Sequence, residues 1–169
     1  TLLAKEIIQE SNFKNQNNAK LYKVFVVEDS DIYRMFLVRS LKRLTNSDLN
    51  NKPNCMIHSF ASGEECVEHL AEKPDIVILD YFLNGDNPEA MDGLDLVKRI
   101  KQISPSTEIL VLSEQSDVLI TAELFHQGAT SYIAKEPQVQ NRIQNAVLNS
   151  IKIIDTARNK RRTRAILAV

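Results

Sequence analysis

The sequence predicts an α/β fold in which a doubly wound parallel sheet of five strands lies between two layers formed by five helices. Three observations predict it. Segments rich in apolar and β-branched residues alternate with segments of helical periodicity along the 169 residues. The connections between them are short, as in sheets built from β-α units. Residues 76–79 are an unbroken apolar run, which is typical of a strand covered on both faces.

The first half of the chain contributes three strands and two helices to this prediction. The strands are expected at residues 22–27, 55–60 and 74–80. The first helix follows at residues 31–45, where apolar and basic side chains recur at helical spacing. The second helix begins at a capping box, in which the Ser62 hydroxyl and the Glu65 carboxylate each accept from a backbone N–H, and runs to about residue 73.

The second half completes the alternation. Helices are expected at residues 95–103 and 116–127, the latter ended by Gly128, and strands at 108–112 and 131–134. Pro137 opens a last helix. One stripe of that helix carries Val139, Ile143, Val147, Ser150 and Ile154.

Composition divides the chain into three parts: an extension or linker at residues 1–20, a domain at 21–150, and a basic helical extension or linker at 151–169. The last part holds six basic side chains and one acid, a charge of +5, so the other 150 residues sum to −6 in a chain of net charge −1. It has no helix-turn-helix pattern, so nucleic-acid binding is expected only if an output domain follows.

The sequence gives no sign of a membrane or secreted protein. No apolar run reaches membrane-spanning length, and the first residues lack the layout of a signal peptide. Cys55 and Cys66 do not resemble a disulfide framework. A cytoplasmic location is therefore expected.

Carboxylates follow two of the predicted strands. Glu28 and Asp29 come at the end of the first strand, and Asp80 ends the third. In the flavodoxin-like order 2-1-3-4-5 these strands are neighbours, and sites in such sheets lie beyond the carboxyl ends of the strands. Three converging carboxylates would repel one another unless a cation joined them. Hard carboxylate oxygens with room for water favour Mg²⁺.

The same rim is expected to carry a hydroxyl and an ammonium. Ser113 ends the fourth strand and Lys135 follows the fifth. A carboxylate can attack phosphorus to give an aspartyl phosphate, while Mg²⁺ and a lysine neutralise charge on the transferred oxygens. The sequence therefore predicts phosphoryl transfer at this rim.

The chain resembles a receiver domain of two-component response regulators over roughly residues 21–150. The motifs that carry the resemblance are VVEDSD, KPDIVILD, MDGLDLVKRI, ILVLSEQSD and GATSYIAK, and their order and placement at successive strand ends make it specific. The resemblance implies that Asp80 is the phosphoacceptor and that Glu28, Asp29 and Asp80 surround Mg²⁺. The backbone carbonyl of Phe82 is then a further protein ligand to the metal.

The resemblance also implies a switch. Ser113 is the switch hydroxyl, Lys135 is the family's lysine, and Tyr132 is the aromatic residue that changes rotamer on activation. The donor is a sensor histidine kinase or phosphotransfer protein. The responding surface is formed by helix four, strand five and helix five, through which partners or a second copy bind. A signalling switch is expected, not a turnover enzyme, although it assists its own phosphorylation and dephosphorylation.

The sequence departs from the family pattern in three places. Glu114 follows the switch hydroxyl, where a small residue is usual, and is expected to narrow access or repel an anionic donor. The connection at residues 81–92 is several residues longer than usual and is expected to be an exposed lid or partner contact. Glu136 separates Lys135 from Pro137, which implies either that no cis bond forms there or that Lys135 is shifted.

Other functions and sites fit the residues less well. A pseudo-receiver that binds partners without efficient phosphorylation is supported by Glu114 and the long connection. A flavin or dinucleotide domain is rejected because the glycines, at positions 63, 85, 93 and 128, make no phosphate-binding loop after the first strand. A phosphatase with an aspartate nucleophile would need an acid where Phe82 stands. A metal site at Cys66 and His69 lacks a second ligand pair.

Overall fold

The fold is known from a computed structural model that describes residues 20–45, 52–83, 85, 87–114 and 117–167. Five parallel strands form one sheet in the order β2-β1-β3-β4-β5, which confirms the predicted class and strand order. Except for Lys20, the extension expected at residues 1–20 lies outside the described residues. No helix within the described ranges combines the length and the apolar character needed to cross a membrane.

Strands and helices alternate along the described chain as the sequence predicts. The strands are β1 (Leu21–Val27), β2 (Asn54–Phe60), β3 (Ile76–Asp80), β4 (Glu108–Ser113) and β5 (Ser131–Ala134). The α-helices are α1 (Asp31–Thr45), α2 (Gly63–Glu68), α3 (Gly93–Ile103), α4 (Val118–His126) and α5 (Val139–Leu167), and a 3₁₀ helix (Leu70–Glu72) follows α2.

Two apolar layers stabilise the sheet from opposite sides. Successive side chains of a strand point to opposite faces, so each central strand contributes to both layers. Val26 and Ile78 pack with α1 and α5 on one face, whereas Val27 and Leu79 pack with α2, α3 and α4 on the other. All five residues of β3 are buried, as its unbroken apolar run predicts.

The second helix is shorter than predicted. Its capping box is confirmed, since the Ser62 hydroxyl accepts from Glu65 N–H at 3.2 Å and the Glu65 carboxylate accepts from Ala61 N–H at 2.9 Å. However, α2 ends at Glu68 and the chain tightens into the 3₁₀ helix before Lys73, whose φ is 54°. Pro74 follows directly, and the residue before a proline is disfavoured in the α conformation.

Three other helices begin at residues other than those expected. Asp92 caps α3, where the expected start was residue 95, by accepting from Asp95 N–H at 2.8 Å. Asp117 caps α4, and residue 116, where this helix was expected to begin, lies outside the described residues. The last helix begins two residues after Pro137, because Gln138 has a φ of 73° that is incompatible with a helix.

The last helix stays attached to the domain beyond residue 150. Ile151 and Ile154 are buried. Asp155 accepts a hydrogen bond from the Tyr22 hydroxyl at 2.9 Å, and Arg158 pairs with Asp75, which lies just before β3. Residues 159–167 are exposed. We therefore propose a domain boundary near residue 158, later than the residue 150 expected from composition.

Gly93 is predicted to tolerate no side chain. An added Cβ would lie 2.6 Å from Tyr81 Cα and 2.8 Å from the Asp80 carbonyl oxygen. We expect Gly93→Ala to lower the free energy of unfolding by roughly 2 kcal/mol or more, because the backbone on which it presses cannot move freely. The matched control is Gly63→Ala, whose Cβ would meet the movable Met91 side chain at 3.0 Å. Urea unfolding measures the free energy of unfolding of both variants. Equal losses in the two variants would contradict the prediction.

Two truncations test the proposed boundary. Ending the chain after Ser150 removes two buried isoleucines and should cost roughly 3 kcal/mol or more of unfolding free energy. Ending it after Asn159 removes residues that are exposed in the described structure and should cost less than about 0.5 kcal/mol. Thermal and urea unfolding give the comparison. A boundary at residue 150 would instead leave both truncated proteins as stable as the full chain.

Candidate functional site

A cavity of about 430 Å³ lies beyond the carboxyl ends of β1, β3 and β4. This is the edge of the sheet where the sequence places the candidate residues. The cavity is lined by Glu28, Asp29, Ser30, Tyr33, Asp80, Phe82, Glu114 and Lys135.

Three carboxylates meet at this cavity because β1 and β3 are adjacent and in register. Val27 pairs with Leu79, so the next residues of the two strands, Glu28 and Asp80, emerge side by side. One oxygen of each of these two and one of Asp29 lie within 4.8 Å of one another. Glu28 and Asp80 are buried, whereas Asp29 is exposed. The predicted convergence of the three acids is therefore present.

Lys135 reaches this cluster from the loop after β5. Its Nζ donates to Glu28 Oε2 at 3.0 Å and to Asp80 Oδ2 at 2.9 Å, and its side chain is only 8% exposed. The backbone N–H of Lys135 bonds to the Ser113 carbonyl oxygen at 2.8 Å and so extends the pairing of β4 with β5. No peptide bond within the described residues is cis, including the bond before Pro137.

Burial and mutual charge set the pKa values of Glu28, Asp80 and Lys135. Burial raises the pKa of the Glu28 carboxyl, and the charge of Asp80 raises it further. The charge and hydrogen bond of Lys135 lower it. Burial also raises the pKa of Asp80, again against the hydrogen bond and charge of Lys135. Burial alone would lower the pKa of Lys135, but the hydrogen bond and charge of Asp80 and then those of Glu28 raise it. The Lys135 ammonium and the two carboxylates therefore favour each other's charged forms, whereas burial opposes the charge on all three groups.

The residues of this cluster fit a divalent cation. Asp80 Oδ1 is buried and makes no hydrogen bond within the described part of the chain. With all groups ionised, three carboxylates and one ammonium leave a formal charge of −2, which a divalent cation would neutralise. Oxygen donors at a rim that is partly open to water suit Mg²⁺.

The other candidate residues lie around this cluster in different settings. Ser113 is buried at the end of β4, and the side chain of Phe82 is 40% exposed at the cavity wall. Tyr132 is half-buried on β5 and packs against the apolar layer shared with α2, α3 and α4. Glu114 is exposed and lines the cavity. Cys66 is buried and His69 Nδ1 lies 2.9 Å from the Glu65 carbonyl oxygen, and neither belongs to a group of potential metal ligands within the described ranges.

The long connection after β3 is tied down at both ends. Gly93 N–H donates to the Tyr81 carbonyl oxygen at 2.9 Å, and Met91 N–H donates to Glu64 Oε1 at 2.7 Å. Gly85 has a φ of 48°, and a Cβ there would lie 3.7 Å from Asp29 Oδ2. Residues 84 and 86 are outside the described ranges. The described part of the connection therefore passes beside the exposed acid of the cluster.

Two residues at the site were missed by the sequence analysis. The Tyr33 ring lies under the Lys135 ammonium, with Nζ 4.3 Å from the ring centroid. Arg34 donates from Nη1 to the Glu28 carbonyl oxygen at 2.6 Å. Both belong to the first turn of α1, which starts at the rim where the carboxylates lie. Their position in the sequence, directly after the carboxylates that end β1, is the signal from which both could have been predicted.

Comparison with known proteins gives one consistent family. A family model described as the response regulator receiver domain matches residues 24–148. The chain is 32% identical over 113 residues to the DNA-binding transcriptional regulator NtrC of Escherichia coli K12, covering 66% of this chain and 21% of NtrC. It is 32% identical over 115 residues to the chemotaxis protein CheY of Thermotoga maritima, covering 67% of this chain and 84% of CheY. The chain thus spans about a fifth of the length of NtrC.

Solved structures give the same fold. The signal receiver domain of NarL from Mycobacterium tuberculosis has a TM-score of 0.63 and 25% identity, over 79% of this chain and 98% of that one. A response regulator receiver domain protein from Clostridium thermocellum has a TM-score of 0.65 and 20% identity, over 80% and 98% of the two chains.

The raised pKa of Asp80 predicts that Asp80→Asn stabilises the protein without metal but weakens the stabilisation that Mg²⁺ provides. Because the pKa of Asp80 is raised in the folded state, its ionised form disfavours folding at pH 7, and this cost disappears as the pH falls below the pKa of the unfolded chain. We expect Asp80→Asn to raise the free energy of unfolding at pH 7 in EDTA. Wild-type protein should gain about 1.4 kcal/mol per tenfold increase in Mg²⁺ above its Kd, and Asp80→Asn should gain much less.

The control for this experiment is Asp75→Asn, since Asp75 lies just before β3, at the end of the sheet opposite the cavity. It should lose stability with its Arg158 ion pair and keep the full response to Mg²⁺. Urea unfolding at a series of Mg²⁺ concentrations gives all three comparisons. An equal Mg²⁺ response in Asp80→Asn and wild type would rule out a metal site that depends on Asp80.

Proposed function

The chain belongs to the response regulator receiver family of two-component systems, and we propose that Asp80 is its phosphoryl acceptor. The setting of Asp80 carries the proposal. The residue is buried at the end of β3, Lys135 holds its Oδ2, and its Oδ1 makes no hydrogen bond within the described residues. A carboxylate that is held in place with one oxygen uncommitted is suited to act as a nucleophile.

The donor we propose is a phosphorylated histidine on a sensor histidine kinase or a phosphotransfer protein, the partners with which receiver domains interact. An Asp80 oxygen forms a bond to phosphorus, and the bond between phosphorus and the imidazole nitrogen breaks with its electron pair returning to the imidazole. The product is an acyl phosphate. Attack by water then releases inorganic phosphate and restores the carboxylate, so the chain alternates between two states.

The neighbours of Asp80 have distinct proposed roles. The Lys135 ammonium, 2.9 Å from Asp80, is positioned to neutralise charge on the transferred oxygens. The Ser113 hydroxyl donates to one of those oxygens. The groups that would hold Mg²⁺ are the three carboxylates of the cluster and the backbone carbonyl of Phe82. When bound, this ion supplies positive charge against the oxygens of the phosphoryl group.

The output of the switch is proposed to be the surface formed by α4, β5 and the start of α5. Tyr132 lies on β5 beside β4, the strand that Ser113 ends, and movement of Ser113 toward a phosphoryl oxygen would open space for the Tyr132 ring. Val118 and Leu119 on α4 are 82% and 81% exposed, which gives this surface apolar side chains for a partner or a second copy. Nucleic-acid contact is proposed only through a further output domain.

Glu114 is the feature that bears on how fast phosphorylation occurs. Its exposed carboxylate lines the same cavity as Asp80. Two unit charges 4 Å apart in water repel by about 1 kcal/mol, which corresponds to roughly a fivefold change in rate. The position of the Glu114 carboxylate at the wall of this cavity is the observation that favours the alternative of a pseudo-receiver.

Intact mass after incubation with acetyl phosphate and Mg²⁺ tests the proposal. We expect wild-type protein to gain one phosphoryl group, and Asp80→Asn or addition of EDTA to abolish the gain. Asp75→Asn, which changes an aspartate just before the same strand, should be phosphorylated like wild type. Glu114→Ala should be phosphorylated about fivefold faster, because the repulsion of the donor is removed.

Two results would contradict the proposal. A phosphoryl group that persists in Asp80→Asn would move the acceptor to another residue. Absence of phosphorylation in wild type and in Glu114→Ala, with a phosphorylated histidine donor as well as with acetyl phosphate, would leave the pseudo-receiver as the remaining function.

A further inference from the structure

Tyr33 contacts the lysine of the site through the face of its ring. It lies in the first turn of α1, and Lys135 Nζ is 4.3 Å from its ring centroid. A cation over a phenol ring at this distance is attracted by the negative face of the ring. Tyr33 also lines the same cavity as Glu28, Asp80 and Lys135. The contact therefore belongs to the site and joins α1 to the loop after β5.

The position of the Lys135 ammonium depends on its neighbours because the side chain is long and flexible. A lysine carries a compact charge at the end of a flexible stem of four carbons, so its position depends on what surrounds the ammonium. Two of its contacts are the oxygens of Glu28 and Asp80, at 3.0 and 2.9 Å. Both carboxylates also belong to the acidic cluster that fits a divalent cation, which would compete with Lys135 for them. The ring face attracts the ammonium without being a ligand that Mg²⁺ prefers.

The hydroxyl of Tyr33 does not explain why an aromatic residue stands here. Its oxygen is buried and makes no hydrogen bond to any described residue. A buried hydroxyl without a partner is unfavourable. The functional part of the side chain is therefore the ring, and a phenylalanine would keep it.

We propose that Tyr33 is a positioning residue for phosphoryl transfer, whose ring holds the Lys135 ammonium beside Asp80. This inference rests on the proposed function, in which Lys135 neutralises charge on the transferred oxygens. In this role Tyr33 acts on the reaction through Lys135.

Phosphorylation rates of three variants test the role of the ring. Tyr33→Leu removes the contact and should lower the rate constant with acetyl phosphate about fivefold, in keeping with a partly desolvated cation–π pair. Tyr33→Phe keeps the ring and should restore most of that rate. Val38→Ala is the matched control, since Val38 is a half-buried residue of the same helix that packs against the same apolar layer but does not line the cavity. Its rate should stay within about twofold of wild type.

A double substitution separates positioning from general packing. In Lys135→Met protein, the further change Tyr33→Leu should leave the remaining rate unchanged, because the ring has no ammonium to hold. A fivefold loss in that background as well would show that Tyr33 acts through the fold and would overturn the inference. Urea unfolding of each variant confirms that it is folded under the conditions of the assay.

A second readout does not depend on phosphorylation. Protons on the ε-carbon of Lys135 near the ring face should show an upfield ring-current shift in NMR spectra of the unphosphorylated protein. The shift should persist in Tyr33→Phe and disappear in Tyr33→Leu. If it is present while wild type accepts no phosphoryl group, the ring contact stands and the proposed function fails. If wild type is phosphorylated but lacks the shift, the inference about Tyr33 fails alone.

Discussion

The ion pairs of Lys135 with Glu28 and Asp80 are the interaction on which the rest of the site depends. They join the ends of β1 and β3 to the loop after β5, three segments that meet only in the folded sheet. Without the ammonium, two buried carboxylates would lie side by side and would favour protonation. With it, the charged forms of both carboxylates are favoured, which suits the proposed role of Asp80 as a nucleophile.

This cluster adds little to the stability of the fold. A buried ion pair gains attraction but loses hydration, and the two nearly balance. The apolar layers on the two faces of the sheet supply most of the stability. Because those layers lie apart from the rim, the raised pKa values of the acids there cost the core no packing. The separation of a stabilising core from a charged edge fits the proposed role of this edge as a switch.

The sequence predicted the strand order and placed each strand end within two residues, and the largest error falls at the end of α2. Strand ends are marked by the change from apolar to polar residues, which is a local signal. The end of α2 depends on how the chain turns into β3 before Pro74, and the long α5 depends on Tyr22 and Asp75, residues far away in the sequence. The expected roles of Ser113, Tyr132 and Phe82 remain predictions, since they concern states of the protein that differ from this one.

By itself the sequence determined which residues stand at the carboxyl edge of the sheet, because parallel strands of known order place their ends at one edge regardless of the detailed packing. Only the tertiary structure decided how those residues are paired. Lys135 meets the ring of Tyr33, and Arg158 meets Asp75, across distances in the sequence that no local pattern spans. Such pairings depend on how α1 and α5 pack against the sheet, which is fixed by the fit of many apolar side chains at once.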